Sequence, residues 1–119
     1  MFEARTRDDS TTLAAVSSAI VKLHKQQFGR GPTHARTDYA GRDLLVCTLE
    51  DALLPAERAL VEMGEGQRVM ESRALLQSAS AKLFVATIEE IVGRNVRAFS
   101  SAVDPPTGLV YELFAFEPA

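Results

Sequence analysis

This chain has few of the residues on which small catalytic, metal-binding or disulfide-linked domains depend. It contains one cysteine, two histidines and no tryptophan among 119 residues. Cys47 has no second cysteine to pair with, which excludes an intramolecular disulfide and a paired-cysteine metal site. Its place in an apolar run predicts a buried, unreactive thiol. Two histidines are too few for a histidine-based metal site, so we expect neither metal nor cofactor.

The chain also has no strong charge of one sign and no long apolar run. Thirteen basic and sixteen acidic residues give a net charge of −3, which argues against nucleic acid as a partner. The mean hydropathy is −0.01, and no segment approaches the roughly 18 apolar residues of a membrane span. The first residues are polar where a signal peptide would need an apolar stretch. We therefore expect a cytoplasmic protein without direct membrane insertion.

Length and composition predict one compact unit. Hydrophobic residues make up 46% of the chain, enough for a core in a single domain of this size. Residues 1–9 show no periodicity and are predicted to form a flexible tail. The domain itself is predicted to cover 10–117.

The first half of the chain predicts a helix followed by a β-hairpin. Apolar residues recur every three or four positions from 11 to 28, and Gly29 suits the end of a helix. His24 lies on this apolar stripe, which favours a core position for it. Two strands are predicted at 33–39 and 44–49. The second is apolar on both faces, which predicts a central strand covered on each side by helices or by a partner subunit.

The second half repeats this order. Pro55 fits the first turn of a helix, and Glu57 suits the positive N-terminal end. The Gly64-Glu65-Gly66 segment predicts a break before a long helix at 67–92. Its predicted apolar side comprises Val69, Leu76, Leu83, Phe84, Ile88, Ile91 and Val92, and its predicted solvated side comprises Arg68, Glu71, Arg73, Gln77, Lys82 and Glu89.

A second hairpin is predicted to complete the chain. Strands at 96–103 and 109–116 flank Asp104-Pro105-Pro106-Thr107-Gly108, where prolines and glycine favour a chain reversal. The fold class is therefore α+β, a two-layer α/β sandwich in the order helix-hairpin-helix-hairpin. It has a four-stranded antiparallel sheet with two main helices on one face. The strands carry more apolar surface than two helices should cover, which predicts a homodimer.

The Gly29-Arg30-Gly31-Pro32 loop admits two interpretations. Arg30, Gly31, His34 and Arg36 are candidate ligand-binding residues, because converging basic groups suit a carboxylate or phosphate. In the other interpretation Gly29 caps the helix and Pro32 stiffens its exit, while His34 and Arg36 lie on a solvated edge strand. A phosphate loop normally precedes a helix, whereas this loop follows one, which favours a structural turn.

No set of catalytic residues is visible in the sequence. No serine lies in a Gly-x-Ser-x-Gly turn, and Cys47 has no activating partner in the pattern. Glu57, Asp104 and His34 are the only acid–base candidates, and no substrate follows from them. We therefore expect a protein that is not an enzyme.

Three short motifs resemble a known family. They are the Gly-x-Gly-Pro loop at Gly29, Gly31 and Pro32, the Leu-x-Pro-x-Glu segment at Leu53, Pro55 and Glu57, and the Asp-x-x-Thr-Gly turn at Asp104, Thr107 and Gly108. Over about residues 10–117 the chain resembles the MpsC-like domain family of bacterial and archaeal proteins. That family is named for a component of a sodium-translocating system that generates membrane potential.

The resemblance implies a soluble, non-catalytic accessory or regulatory domain. Such a domain would act by protein binding, beside a membrane cation or bicarbonate transport system. The alternative function is that of a sensor, which would bind a small molecule or anion through the basic Gly-Arg-Gly-Pro loop. One position departs from the family, because Leu54 stands where members commonly carry a threonine, and a helix-capping hydroxyl is thereby lost.

Overall fold

The structure is a computed structural model that describes the backbone of residues 2–118 and the side chains of 10–118. It confirms the α+β class and the predicted order, with the second helix divided in two. In chain order the elements are α1 Phe2–Phe28, β1 His34–Tyr39, β2 Leu44–Glu50, α2 Pro55–Glu62, α3 Gly66–Val92, β3 Val96–Asp104 and β4 Leu109–Phe116.

Two of the helices, α1 and α3, are followed directly by a glycine. Gly29 and Gly93 have positive φ angles of 84° and 76°, the left-handed conformation that ends helices at little cost for glycine. The predicted start of α1 at residue 11 was wrong, since this helix begins at Phe2. Residues 2–10 contain neither glycine nor proline, so nothing local stops the helix there. The flexible tail predicted at 1–9 lies outside the residues whose side chains are described.

The predicted break between the second and third helices is confirmed. The α2 helix ends at Glu62 and α3 begins at Gly66. A Cβ atom at Gly66 would lie 3.0 Å from the Pro105 ring. A side chain at this position would therefore press on Pro105, because the start of α3 packs tightly against the turn between β3 and β4.

The strands form one antiparallel sheet in the order β1-β2-β4-β3. The two hairpins are joined by the pairing of β2 with β4, from Leu44 opposite Ala115 to Leu49 opposite Val110. The predicted central position of β2 is confirmed, and β1 and β3 form the edges.

The helices cover one face of this sheet and enclose the core. Leu45, Cys47, Leu49 and Phe114 on the sheet are fully buried against apolar residues of α1 and α3. Cys47 is 0% exposed, as the sequence predicted. Burial raises the pKa of its thiol to about 11, with a hydrogen bond from Thr37 acting in the opposite direction. The thiolate that reacts is therefore scarce at neutral pH.

The predicted apolar side of α3 was partly wrong. Val69, Phe84 and Ile88 are buried, but Leu76 and Leu83 are 41% and 56% exposed. Arg73, predicted on the solvated side, is only 6% exposed. It lies four residues after Val69 on the buried stripe of the helix, where an ion pair with Glu57 provides its partner.

The other face of the sheet is not covered by any helix among the described residues. We call it the open face; its central residues, all partly exposed, are Leu44, Val46, Thr48, Leu109, Tyr111, Leu113 and Ala115. The sequence predicted that helices or a partner subunit would cover both faces of β2. In the described part of the chain, helices cover only one of these faces. None of the helices over residues 2–118 is long and apolar enough to cross a membrane.

Two substitutions on α3 test this packing. Ile88 is 0% exposed, so Ile88→Ala should lower the free energy of unfolding by about 2–5 kcal/mol. Leu75 is 73% exposed on the same helix, so Leu75→Ala should change it by less than about 0.5 kcal/mol. Urea denaturation followed by circular dichroism measures both. Equal losses for the two variants would show that α3 is oriented differently.

Candidate functional site

The three family-like motifs meet at the connection between β2 and α2. From the Gly-x-Gly-Pro loop, Arg30 donates hydrogen bonds from Nη1 to the carbonyl oxygens of Asp51 (3.3 Å) and Leu53 (2.8 Å). Its Nη2 donates to Asp51 Oδ2 at 3.2 Å. From the opposite side, the Ala52 N–H donates to the Gly108 carbonyl at 3.3 Å. The connection is therefore held from both sides.

Asp51 lies at the centre of this junction in an unusual backbone conformation. Its φ angle is 53°, the only positive value among the described non-glycine residues. Such a conformation costs on the order of 1 kcal/mol and persists where surrounding contacts impose it. Here the Asp51 carboxylate pairs with Arg30 and with Arg58. Both guanidinium groups therefore hold the turn that directs the chain into α2.

The turn between β3 and β4 forms the opposite wall. Thr107 Oγ1 donates to Asp104 Oδ2 at 2.5 Å, and the Thr107 N–H donates to the same oxygen at 3.3 Å. Gly108 follows with a positive φ of 75°. The Asp-x-x-Thr-Gly motif is thus a self-contained turn.

A buried ion pair connects α3 to the junction. Arg73 donates from Nε to Glu57 Oε2 at 2.7 Å and from Nη2 to Glu57 Oε1 at 2.6 Å. Nη2 also donates to the Ala52 carbonyl at 2.8 Å. The guanidinium lies over the Phe28 ring, 3.8 Å from its centroid. One side chain of α3 therefore contacts α1, α2 and the connecting segment, with the bidentate geometry that makes such pairs strong.

Glu57 has a second role at the start of α2. Its Oε1 accepts the Leu54 N–H at 2.7 Å, which satisfies one of the unpaired donors at a helix N-terminus. Glu57 thus pairs a backbone donor at the helix end where Leu54 provides no capping hydroxyl. Burial alone would raise the pKa of Glu57, but the hydrogen bonds from Arg73 and Leu54 and the Arg73 charge together lower it below 4.5.

A cleft of about 390 Å³ opens at the junction. It lies between the β2–α2 connection, α2 and the β3–β4 turn, and its charged lining residues are Glu50, Asp51, Arg58 and Glu62. Three carboxylates face one guanidinium there. The cleft therefore suits a cationic group better than an anion.

The candidate ligand-binding residues from the sequence lie outside this cleft. Arg30 is bonded to Asp51 and Leu53, and Gly31 packs on Val21. His34 and Arg36 lie on β1 at the rim of the open face, where Arg36 Nε donates to Asp38 Oδ2 at 2.8 Å. Over the described residues, none of the four lines the cleft. Anion binding by this set stays a prediction.

The acid–base candidates are also separated. Glu57 is engaged by Arg73, and Asp104 is engaged by Thr107. His34 lies opposite Glu50 on the far edge strand from Asp104, three strand spacings or roughly 14 Å away. Within residues 10–118, no group of three or more histidine, cysteine or carboxylate side chains is arranged to hold a metal ion.

Sequence reasoning missed two buried charged residues of the core. Arg73 is 6% exposed and Glu112 is 2% exposed, and Glu112 Oε2 accepts a hydrogen bond from His24 Nε2 at 2.8 Å. The core position predicted for His24 is confirmed. Glu112 lies between Val110 and Phe114 on the inward side of β4, so its strand alternation alone marks it as buried.

The ion pair makes a pH-dependent prediction. Because the folded pKa of Glu57 is lowered, its contribution to stability is present above about pH 4.5 and is lost as the pH falls through the folded pKa. Glu57→Gln should cost about 3 kcal/mol at pH 7, since it leaves Arg73 charged and buried. Below pH 4 the difference from wild type should shrink.

The matched control is Glu65→Gln, which removes an exposed pair with Arg68 at 3.0 Å. It should cost less than about 0.5 kcal/mol at either pH. Chemical denaturation between pH 3 and pH 8 measures both variants. If the free energies of unfolding of Glu57→Gln and wild type differed by the same amount over this whole range, folding would not lower the pKa of the Glu57 carboxyl.

Comparison with known proteins places the chain in a family. No curated protein and no solved structure matches it. A family model described as "Na+-translocating membrane potential-generating system (MpsC)" matches residues 9–118, which is nearly the whole chain. The three motifs that meet at the junction lie within this range, and the chain belongs to the MpsC family.

Proposed function

We propose that this protein is a non-catalytic accessory domain that acts by binding protein, beside a membrane cation transport system, in the cytoplasm. The family description supports the association with a sodium-translocating system. The open face supports the binding role, and it is the observation on which the proposal depends. A sheet with one uncovered apolar face is stabilised when a second layer covers it.

The strand register shows how the open face is organised. Successive cross-strand rows pair Leu44 with Ala115, Val46 with Leu113 and Thr48 with Tyr111. These rows form an apolar ridge along the two central strands. The β3 column beside it consists of the small residues Ala98, Ser100 and Ala102, and the β1 column consists of His34, Arg36 and Asp38.

This arrangement fits a second copy of the same chain. When two open faces meet about a two-fold axis near β3 and β4, the ridge of one copy lies over the small-residue column of the other. Bulky side chains then fill a depression, as two packed sheets require. The charged β1 column remains at the solvated rim, where the Arg36–Asp38 pair needs no partner from the other copy. We therefore propose a homodimer formed through the open face.

The α3 leucines form a rival surface. Leu75 and Leu83 are 73% and 56% exposed on the outer side of this helix. Exposed Glu71, Ser78 and Lys82 interrupt that surface. Scattered apolar residues of this kind are ordinary on soluble proteins, so this surface supports self-association less well than the ridge.

The alternative proposal is a sensor that binds a small molecule or anion through the Gly-Arg-Gly-Pro loop. Its chemistry needs an available cationic group, and Arg30 already donates to Asp51 and Leu53. The accessory role requires no such free group and is therefore the proposal that the contacts favour.

Native mass spectrometry with paired charge substitutions tests the dimer. The wild type should be dimeric at micromolar concentration. Leu113→Arg should make it monomeric, because a guanidinium at the centre of the ridge would be desolvated without a partner. Leu75→Arg adds the same charge to the α3 surface and should leave the dimer intact. If Leu75→Arg were monomeric and Leu113→Arg dimeric, the interface would lie on α3. A monomeric wild type would contradict the dimer proposal.

Complementation tests the accessory role. Deleting the gene for this chain should reduce the sodium-dependent membrane potential, measured with a voltage-sensitive dye in the cells that encode it. The wild type and Leu75→Arg should restore the potential, and Leu113→Arg should not. An unchanged sodium-dependent potential after deletion would contradict the association with this transport system, whatever the oligomeric state.

A further inference from the structure

A buried ion pair and a buried hydrogen-bonded pair each contribute side chains to one small cavity between the helices and the sheet. Arg73 of α3 binds Glu57, and His24 of α1 binds Glu112 of β4. Arg73 and Glu112 line the same cavity, together with His24, Gln77, Phe84 and Ser101. We propose that this cavity is a binding site for one water molecule, which bridges Arg73 Nη1 and Glu112 Oε1 and joins the two pairs into one network.

Each of these two side chains has one polar atom without a partner among the described residues. Arg73 Nη1 and Glu112 Oε1 are both fully buried, and neither has a hydrogen-bond partner among the described protein groups. They are the only buried side-chain atoms in that state over residues 10–118. A buried donor on a cation and a buried acceptor on a carboxylate each cost on the order of 1–3 kcal/mol or more when unpaired. A bridging partner therefore stabilises both.

The cavity has the size of one small guest. The space open to the centre of a water-sized sphere is about 20 Å³. A cavity needs about 10–15 Å³ of this space to hold one water molecule. Phe84 and Val110 of the packed core, which are 3% and 1% exposed, form part of its wall. The volume therefore matches a guest of water dimensions.

Donor and acceptor chemistry narrows the choice further. The guest must accept a hydrogen bond from Arg73 and donate one to Glu112. An ammonium ion or a metal cation cannot accept from a guanidinium and would be repelled by it. A halide ion cannot donate to a carboxylate and would be repelled in turn. Water does both, and the Ser101 hydroxyl, which lines the same cavity, offers the third contact typical of buried waters.

The bridge has a structural consequence for the whole domain. It connects the Leu54 N–H, Glu57, Arg73, Glu112 and His24 into one continuous chain of hydrogen bonds. The start of α2 beside the cleft is then linked through α3 and the central strand β4 to α1. Buried networks of this kind stabilise a single arrangement of the core only when every member is paired.

Adjacent serines on β3 provide a matched test. Ser101 lines the cavity, whereas Ser100 lies on the open face of the same strand. Ser101→Thr adds one methyl group at the cavity and should displace the water. Its midpoint of thermal unfolding should fall relative to Ser100→Thr, because two charged groups lose their bridge. A dry cavity predicts the opposite order, since filling an empty space stabilises a core.

Two direct measurements keep the proposal testable even if the variant does not fold. A wild-type crystal structure at high resolution should show water within about 3.2 Å of both Arg73 Nη1 and Glu112 Oε1. Magnetic relaxation dispersion of water ¹⁷O should decrease by one long-lived molecule in Ser101→Thr and stay unchanged in Ser100→Thr. An empty cavity in the crystal, or direct contact between the two atoms, would overturn the proposal.

Discussion

The ion pair between Glu57 and Arg73 constrains how α1, α2 and the β2–α2 connection are assembled around α3. Arg73 contacts three separate parts of the fold, namely the Phe28 ring of α1, the Glu57 carboxylate of α2 and the Ala52 carbonyl of the connecting segment. Two of the three family motifs include or adjoin these groups. A buried charge of this kind is tolerated only with excellent geometry, so the short helix α2 has one place where it can dock.

This constraint also orients the surface that we propose for binding. The β2–α2 connection leaves the central strand β2 immediately after Glu50, and Arg30, Arg58 and Arg73 hold it at one end of the sheet. The helices pack on the face that carries the buried core residues of β2 and β4. The apolar ridge of β2 and β4 is left on the other face, where a second layer of protein can cover it.

The parts of the fold predicted from sequence were those set by local chemistry. Gly29 and the Gly64–Gly66 segment marked helix ends, and β-favouring segments between turn residues marked four strands, because these signals need no distant partner. The strand order was not predictable, since it depends on β2 pairing with β4 across the two hairpins. Arg73 was assigned to the wrong side of α3 because its burial depends on Glu57, sixteen residues earlier in the chain. The pairing of Arg30 with Asp51 was not predictable for the same reason, since Asp51 lies twenty-one residues later in the chain.

In the dimer that we propose, two copies of this chain meet through their open faces. Isotope-filtered nuclear Overhauser spectroscopy on a mixture of labelled and unlabelled protein tests this interface, because it records contacts between copies alone. Intermolecular contacts are expected from the Val46 and Leu113 methyl groups to Ala98 and Ala102 of the other copy. Contacts confined to Leu75 and Leu83, or a complete absence of intermolecular contacts, would contradict this interface.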